Sequence, residues 1–403
     1  MGGLANHISH VYEDLDFRFH DIKELFRKIG RGEIDVYEKY DGQNLFITWD
    51  FFEEKLKVAR NKKNIKEGGL DRYGLSLKFG DRPDIENLFV GAYDAINEAM
   101  NGISENEKSE IFGSMGGIWF SIEIINPELP NTILYDKKRI IFHKHGPVYF
   151  GYDAEPIETS LERNLEMLES CIPRMNEEST WEISGPNCLN YDIMGEEEIS
   201  DFCKEIDKIY PNEQMSIRIF LFKKIRGDME RFHLIPKDIR IEIARTLTKH
   251  PRSKTLNQIT KTVDKFVKDQ IDQLVKIEKE KLDTLLGPIE EVVHRFSFKF
   301  LDNLDSEFIK DVEYESDRIS AEFNRCSNIL QDDNRHEWLG SMTSKMNSDK
   351  VTIEGVVFEY RGNLYKFTGN FAPMNRVIAD IKYSDLEKKK NVSRSSLATF
   401  ITV

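Results

Sequence analysis

The strand-like pattern of this 403-residue chain breaks off near residue 155 and resumes near residue 351. Before the break, short runs rich in β-branched and aromatic residues read as strands at 34–37, 45–49, 56–59, 118–125, 139–143 and 147–152. After it, 351–360 and 364–367 read as a hairpin around Arg361-Gly362-Asn363. The intervening stretch carries amphipathic helical stripes, as in KDIRIEIARTLTKH and QITKTVDKFVKDQIDQLVKIEKEKLDTLL. Strands from both ends of the chain must therefore close one sheet-bearing domain. The pattern predicts an α+β fold in two parts, 1–154 and 346–403, with a helical insert at 155–345. An insert needs its ends close together, so a self-contained helical core is expected there. A short linker in its place is expected to leave the parent sheet formed.

Two helical regions are predicted before the break. The first carries Phe17, Ile22, Leu25, Phe26 and Ile29 on one face and is closed by Gly30 and Gly32. The second spans 83–112 and covers one face of the sheet. Pro173, Pro186 and Pro236 are expected to punctuate the helices of the insert.

With 39% hydrophobic and 32% charged residues, the composition fits a charge-rich globular protein, and no stretch has the length of an apolar membrane span. The opening MGGLANHISHVYEDLDF lacks the regions of a signal peptide and does not match the myristoylation pattern. Cys171, Cys188, Cys203 and Cys326 show no C-x-x-C spacing, which disfavours structural zinc or a disulfide framework and favours the cytoplasm. His7 and His10 read as structural or entrance residues, since no third metal ligand stands near them. A net charge of −14 excludes a broad nucleic-acid coat but leaves room for a local basic groove. The basic stretches are Arg60-Asn61-Lys62-Lys63, Lys137-Lys138-Arg139 with Lys144, and Lys388-Lys389-Lys390.

The chemistry concentrates in YEKYDGQN, residues 37–44, just ahead of the apolar run LFITW. An ammonium has no free lone pair, so a nucleophilic lysine needs desolvation or neighbouring cations. Asp41 stands two residues beyond Lys39 and can orient an amine. Gly42 permits close backbone approach to a ligand, and Asn44 offers an amide. A second carboxylate, Glu123, interrupts the apolar strand IWFSIEII and is costly there unless paired or bound.

EKYDGQN resembles motif I of the covalent nucleotidyltransferases, the ATP-dependent DNA and RNA ligases and mRNA capping enzymes. The resemblance implies that Lys39 attacks the nucleotide α-phosphate and that Glu38 reads the adenine amine, with Asp41, Gly42 and Asn44 in the nucleotide pocket. Asn44 stands where DNA ligases usually carry arginine, which makes the motif more similar to that of phage-type and RNA-editing RNA ligases. Those commonly have histidine at the position of Asp41. Arg60, 21 residues after Lys39, matches the family's cation at the end of the following strands. Glu123 matches the motif III glutamate that contacts ribose. Phe150, with Tyr149 as the alternative, matches the motif IIIa aromatic that stacks on the purine. EGVVFEY resembles motif IV and makes Glu354 the metal-placing carboxylate. LYKFTG resembles motif V and makes Lys366 an α-phosphate contact, with Thr368 in place of the common second lysine. NHISH, PNTILY and KFTGNFAPMN also resemble ligase-like proteins of tailed phages.

Together these imply a ligase-type nucleotidyltransferase domain built on antiparallel sheets (ATP-grasp-like). The 37 residues after Lys366 are too few for a full C-terminal OB-fold. The expected activity is that of an ATP-dependent polynucleotide ligase using Mg²⁺ or Mn²⁺ and a lysyl-AMP intermediate. RNA ends are favoured over DNA ends, in the cytoplasm of an infected host for a phage protein. The helical insert would hold the polynucleotide. The alternatives are a DNA ligase, or an inactive relative that binds nucleic-acid ends or a phage partner.

Overall fold

Apolar residues at 19, 22, 25, 26 and 29 give helix α1 (Phe19–Gly30) one buried stripe. Asp21 caps its start by accepting the Arg18 N–H at 3.0 Å, and Gly32, at φ +73°, carries the chain away from its end. The computed structural model describes residues 8–113, 116–129, 135–150, 156–157, 161–233, 235–249, 265–304 and 354–368, and among them the fold is α+β with two sheets.

The first sheet has the order β1 (Ser9–His10), β10 (Asn363–Thr368), β9 (Gly355–Tyr360), β2 (Val36–Lys39). Arg361 and Gly362, at φ +53° and +75°, form the left-handed pair that a two-residue hairpin turn requires. The second sheet runs β4 (Lys55–Ala59), β3 (Gln43–Asp50), β5 (Ile118–Ile125), β6 (Arg139–Phe150), β7 (Pro156–Ile157), with β8 (Glu182–Ser184) beside β6. Both sheets are mixed, because β1 pairs with β10 and β8 with β6 in parallel. The stretches expected as two strands, 139–143 and 147–152, run as a single strand through Phe150, and 151–152 lie outside the described residues. A register shift opposite Phe120 and Ile122 absorbs the irregularity that reads as a break in sequence.

The helix expected over 83–112 is two, α4 (Pro83–Ala99) and α5 (Glu105–Phe112), separated by a 3₁₀ turn at Met100–Gly102. Two shorter helices precede them, α2 (Lys62–Lys66) and α3 (Arg72–Phe79). Beyond the second sheet come α6 (Glu162–Glu178), α7 (Glu196–Ile209), α8 (Ile217–Asp228), α9 (Lys237–Lys249) and α10 (Lys265–Leu301). Pro173 lies inside α6 and does not end it. No described helix is long and apolar enough to cross a membrane.

The described helices after residue 155 do not form a core of their own. Through Leu165, Leu168, Cys171 and Met175, α6 joins the apolar cluster of the second sheet and α3–α5. The helices α7–α10 share the other large cluster with α1 and with Val36, Val356, Phe358, Tyr365 and Phe367 of the first sheet. Strand alternation explains this: Val356, Phe358, Tyr360, Tyr365 and Phe367 share one face of β9 and β10 and need a layer against them. Helix α10 supplies that layer, with Phe296 and Phe300 at 5.7 and 6.2 Å from Phe367. Phe296 also stacks on Phe26 of α1 at 4.0 Å.

Two outcomes are expected. Phe296→Ala should lower the unfolding free energy by about 3–5 kcal/mol in a urea titration, because it empties the junction of α1, α10 and β10. Replacing 155–345 by a Gly/Ser linker should give a chain with no cooperative unfolding transition, since the first sheet would lose its apolar cover.

Candidate functional site

Cross-strand register assembles one face of the first sheet. Lys39 pairs with Gly355 and Gly355 with Thr368, while Tyr37 pairs with Val357 and Val357 with Lys366. Directly opposed residues share a face, so Lys39, Lys366 and Thr368 project from the side away from α10. Glu354, just before β9, forms an ion pair with the Lys39 ammonium across 315 residues of chain. Gly355 makes that strand start possible. Its φ is +158°, and a Cβ there would stand 2.0 Å from the Phe367 carbonyl oxygen. Lys366 is 8% exposed and Thr368 3%, and the Thr368 hydroxyl has no hydrogen-bond partner among the described residues.

Glu38 falls on the opposite face. Its backbone N–H donates to the Asn187 carbonyl at 3.2 Å, and the Asn187 amide donates to its carboxylate at 3.5 Å. Burial holds the Glu38 carboxyl above the usual carboxylate range, with Tyr40 and Asn187 opposing. Adjacent strand residues point to opposite sides, so β2 presents Glu38 and Lys39 on opposite faces, while Glu38, Asp41 and Glu354 all act on the Tyr135 hydroxyl.

The second sheet contributes the facing wall. Asn44 of β3 lies opposite Glu123 of β5. The Asn44 amide donates to Ser121 Oγ at 2.7 Å and to the Ile122 carbonyl at 3.2 Å, so it fastens β3 to β5. Arg60 donates to the Asn44 carbonyl, and its guanidinium lies 4.9 Å from the Phe89 ring centre. Glu123 Oε2 is 3.2 Å from His143 Nε2. The Gly42 requirement also comes from β5: a Cβ there would stand 2.5 Å from the Ile124 carbonyl oxygen and 2.8 Å from Glu123 Cγ. Neighbouring protein, with no ligand needed, accounts for glycine at this position. Asp41 is buried, and its N–H donates to the Tyr135 hydroxyl at 2.9 Å.

The charged groups of the two walls act on one another. Burial pushes the Glu354 carboxyl up to about 7; Lys39 opposes this, while Asp41 and Glu123 add to it. Burial pulls Lys366 below the usual lysine value and Lys39 adds to the effect, against Glu13 and Glu354. For Arg60 burial also lowers the value, with Glu123 opposing and Arg82 adding. The structure thus gathers Lys39, Glu354, Lys366, Asp41 and Glu123, and Arg60 joins them through Asn44 and Glu123. Phe150 ends β6, but its side chain lies outside the described residues, as do 351–353 and everything after Thr368. No group of three or more His, Cys, Asp or Glu side chains arranged to hold a metal ion occurs among the described residues.

Sequence reasoning passed over His143 and Tyr135. Alternation contains the signal for His143: Ile141 pairs with Glu123, and His143 is two residues further on the same face. His10 pairs with Lys366 at the sheet edge. Its ring stacks on Tyr12 at 5.0 Å, and the Tyr12 hydroxyl is 3.3 Å from His294 Nε2 of α10, so His10 belongs to the packing of that edge. The basic run 137–139 is paired off, Lys137 with Glu182, Lys138 with Glu128 and Arg139 with Asp136. Lys388–Lys390 lies outside the described residues.

Compared with family models, with curated proteins and with solved structures, the chain matches none.

The raised Glu354 value sets a sign for stability against pH. Between about 4.5 and 7 the native state holds a proton that the unfolded chain has released, so this group's contribution falls as pH rises. In chelator and without nucleotide, Glu354→Gln should gain on wild type by up to about 3 kcal/mol between pH 4.5 and 8. Parallel urea titrations measure this, and an unchanged difference would remove Glu354 as the titrating group.

Proposed function

We propose that the chain is an ATP-dependent polynucleotide ligase, favouring RNA over DNA, that works through a covalent AMP on Lys39. The observation carrying this reading is the Lys39–Glu354 ion pair beside buried Lys366. Three residues from opposite ends of the chain, each picked out by its motif context, share one charged environment.

In this reading the unprotonated Lys39 Nζ forms a bond to the α-phosphorus of ATP as the bond to the pyrophosphate oxygen breaks in line. Lys366 and Arg60 neutralise charge on the phosphate oxygens. Glu123, held by its contact with His143, accepts a ribose hydroxyl. The AMP then passes to a 5′-phosphate end, and a 3′-hydroxyl displaces it to seal the strand. Purine stacking stays with Phe150 on the strength of the motif resemblance.

Glu354 is the residue that would hold Mg²⁺ or Mn²⁺. Its carboxylate is disfavoured as an anion by burial and by Asp41 and Glu123, a field that a cation would relieve. Mg²⁺ takes one or two carboxylates and completes its shell with phosphate and water, so a single carboxylate such as Glu354 could contribute to holding it. When bound, the ion would offset charge on the triphosphate.

One observation favours a second reading. Thr368, buried and with no hydrogen-bond partner for its hydroxyl among the described residues, stands where the family usually places another lysine. A protein with that gap in its phosphate clamp could bind nucleic-acid ends without transferring AMP.

Intact mass measurement after incubation with ATP and Mg²⁺ separates the two. Wild type is expected to gain the mass of one AMP, and Lys39→Ala should gain none while still unfolding cooperatively, at a midpoint shifted by the loss of the Glu354 partner. An adduct at wild-type level in the variant would dismiss Lys39. No adduct on wild type would support the binding reading. Assays on nicked RNA and nicked DNA side by side then identify the strand.

A further inference from the structure

A second concentration of charge adjoins this site. Between Lys55 and Arg82 nine lysines and arginines stand against three acidic residues, in a chain of net charge −14. Part of this excess is assembled on an aromatic base. Phe79 of α3 and Phe89 of α4 stack at 4.8 Å. Arg60 lies 4.9 Å from the Phe89 ring centre, and Arg82 and Lys78 lie 5.2 and 6.0 Å from that of Phe79. Buried Asn64 of α2 ties the group together, its Oδ1 accepting from the Arg60 N–H at 3.2 Å and from Lys78 Nζ at 3.0 Å. Lys63 precedes Asn64 on α2.

These cations feel one another. Burial and then Arg60 lower Lys78, Glu67 opposing and Lys63 adding, while burial lowers Arg60, with Glu123 opposing and Arg82 adding. The acids nearby are Glu123 on the Arg60 side, Asp84 and Glu86 in the first turn of α4, and Glu67 and Asp81, which meet Lys63 at 3.6 Å and Arg82 at 3.7 Å as exposed pairs that solvent screens. Packing alone gives no reason to gather four like charges, whereas a bound polyanion would relieve their repulsion.

The arrangement also has a direction. Its inner end is Arg60, tied to Asn44 and within the field of Glu123. At its outer end the Lys63 side chain is 80% exposed and that of Arg82 57%. A triphosphate would be engaged at the inner end only, but a polymer of phosphates can occupy the whole row. We propose that Arg60, Lys78, Arg82 and Lys63 form the track that holds the phosphodiester backbone of a single-stranded polynucleotide end at the mouth of the Lys39 site. The proposal takes its polarity from the ligase reading. It moves the strand-holding role from the helices after residue 155, which in the described residues pack into the cores of the two sheets, to α2, α3 and the start of α4.

The test measures fluorescence anisotropy of a short 5′-phosphorylated oligonucleotide, as RNA and as DNA, over a series of KCl concentrations without ATP. The exposed pair Lys63→Ser and Arg82→Ser is combined in one variant. Lys204→Ser with Arg163→Ser, on other surfaces, is the matched control. Binding by the track variant should weaken several-fold, with the slope of log K against log salt shallower by about 1.4, the value for two single-strand phosphate contacts. The control should keep the parent slope, and both variants should keep the parent unfolding midpoint. A parent that binds neither oligonucleotide, an unchanged track variant, or an equal loss in the control would each overturn the track. The adenylylation assay run beside it keeps the two ideas separate. An AMP adduct with unchanged oligonucleotide binding sinks the track alone, and track-dependent binding without an adduct sinks the catalytic reading alone.

Discussion

The pairing of β2 with β9 is the constraint on which the rest depends. It joins residue 39 to residue 355 and, with β10, sets the parity that puts Lys39, Thr368 and Lys366 on one side. Closing so long a loop is entropically unfavourable, but the cost grows only with the logarithm of length, by about 0.6 kcal/mol per doubling. What holds the pairing is the layer beneath it. Val36, Val356, Phe358 and Phe367 are fully buried against α1 and α7–α10. Helices α7–α10 are thus a condition for the strand register and, through it, for the meeting of Lys39 and Glu354.

The other face of that sheet accepts an electrostatic penalty. Glu354, Lys366, Asp41 and Glu123 are all largely removed from water, and each would be unfavourable alone. Their mutual fields offset part of this, yet for Glu354 burial outweighs the Lys39 partner, since its carboxyl remains displaced upward. Folding gains little from such a group compared with apolar packing. A carboxylate and a lysine both displaced by burial and facing one another are of the kind that clusters at functional sites. Arg60 extends the charged face outward, joining the carbonyl of Asn44 to the cations over Phe79 and Phe89.

Several residues serve structural ends that their motif context does not reveal. Gly42 is demanded by the Ile124 carbonyl, and Asn44 spends its amide on Ser121 and Ile122. Both serve the β3–β5 seam, which carries Glu123 and brings it to His143. A motif residue can therefore act on the site indirectly, by fixing the backbone that presents another side chain.

Lys39, Glu354 and Lys366 stood out through motif resemblance, but the sequence by itself determined the local pieces: the stripe of α1, the strand runs, the Arg361-Gly362 turn and Glu123 as a charge inside an apolar strand. These are legible because helix and strand periodicity, turn chemistry and a buried charge in an apolar run are short-range properties. Only the tertiary structure decided that Glu38 faces away from Lys39, that 139–150 is one strand, and that α6 and α7–α10 belong to the cores of the two sheets. The physical reason is common to all three. Periodicity tells which face of an element is apolar but not which partner covers it, and register follows from pairings made hundreds of residues apart. His143 shows the boundary most clearly: its alternation is written in the strand, and its nearness to Glu123 exists only once β5 and β6 are aligned.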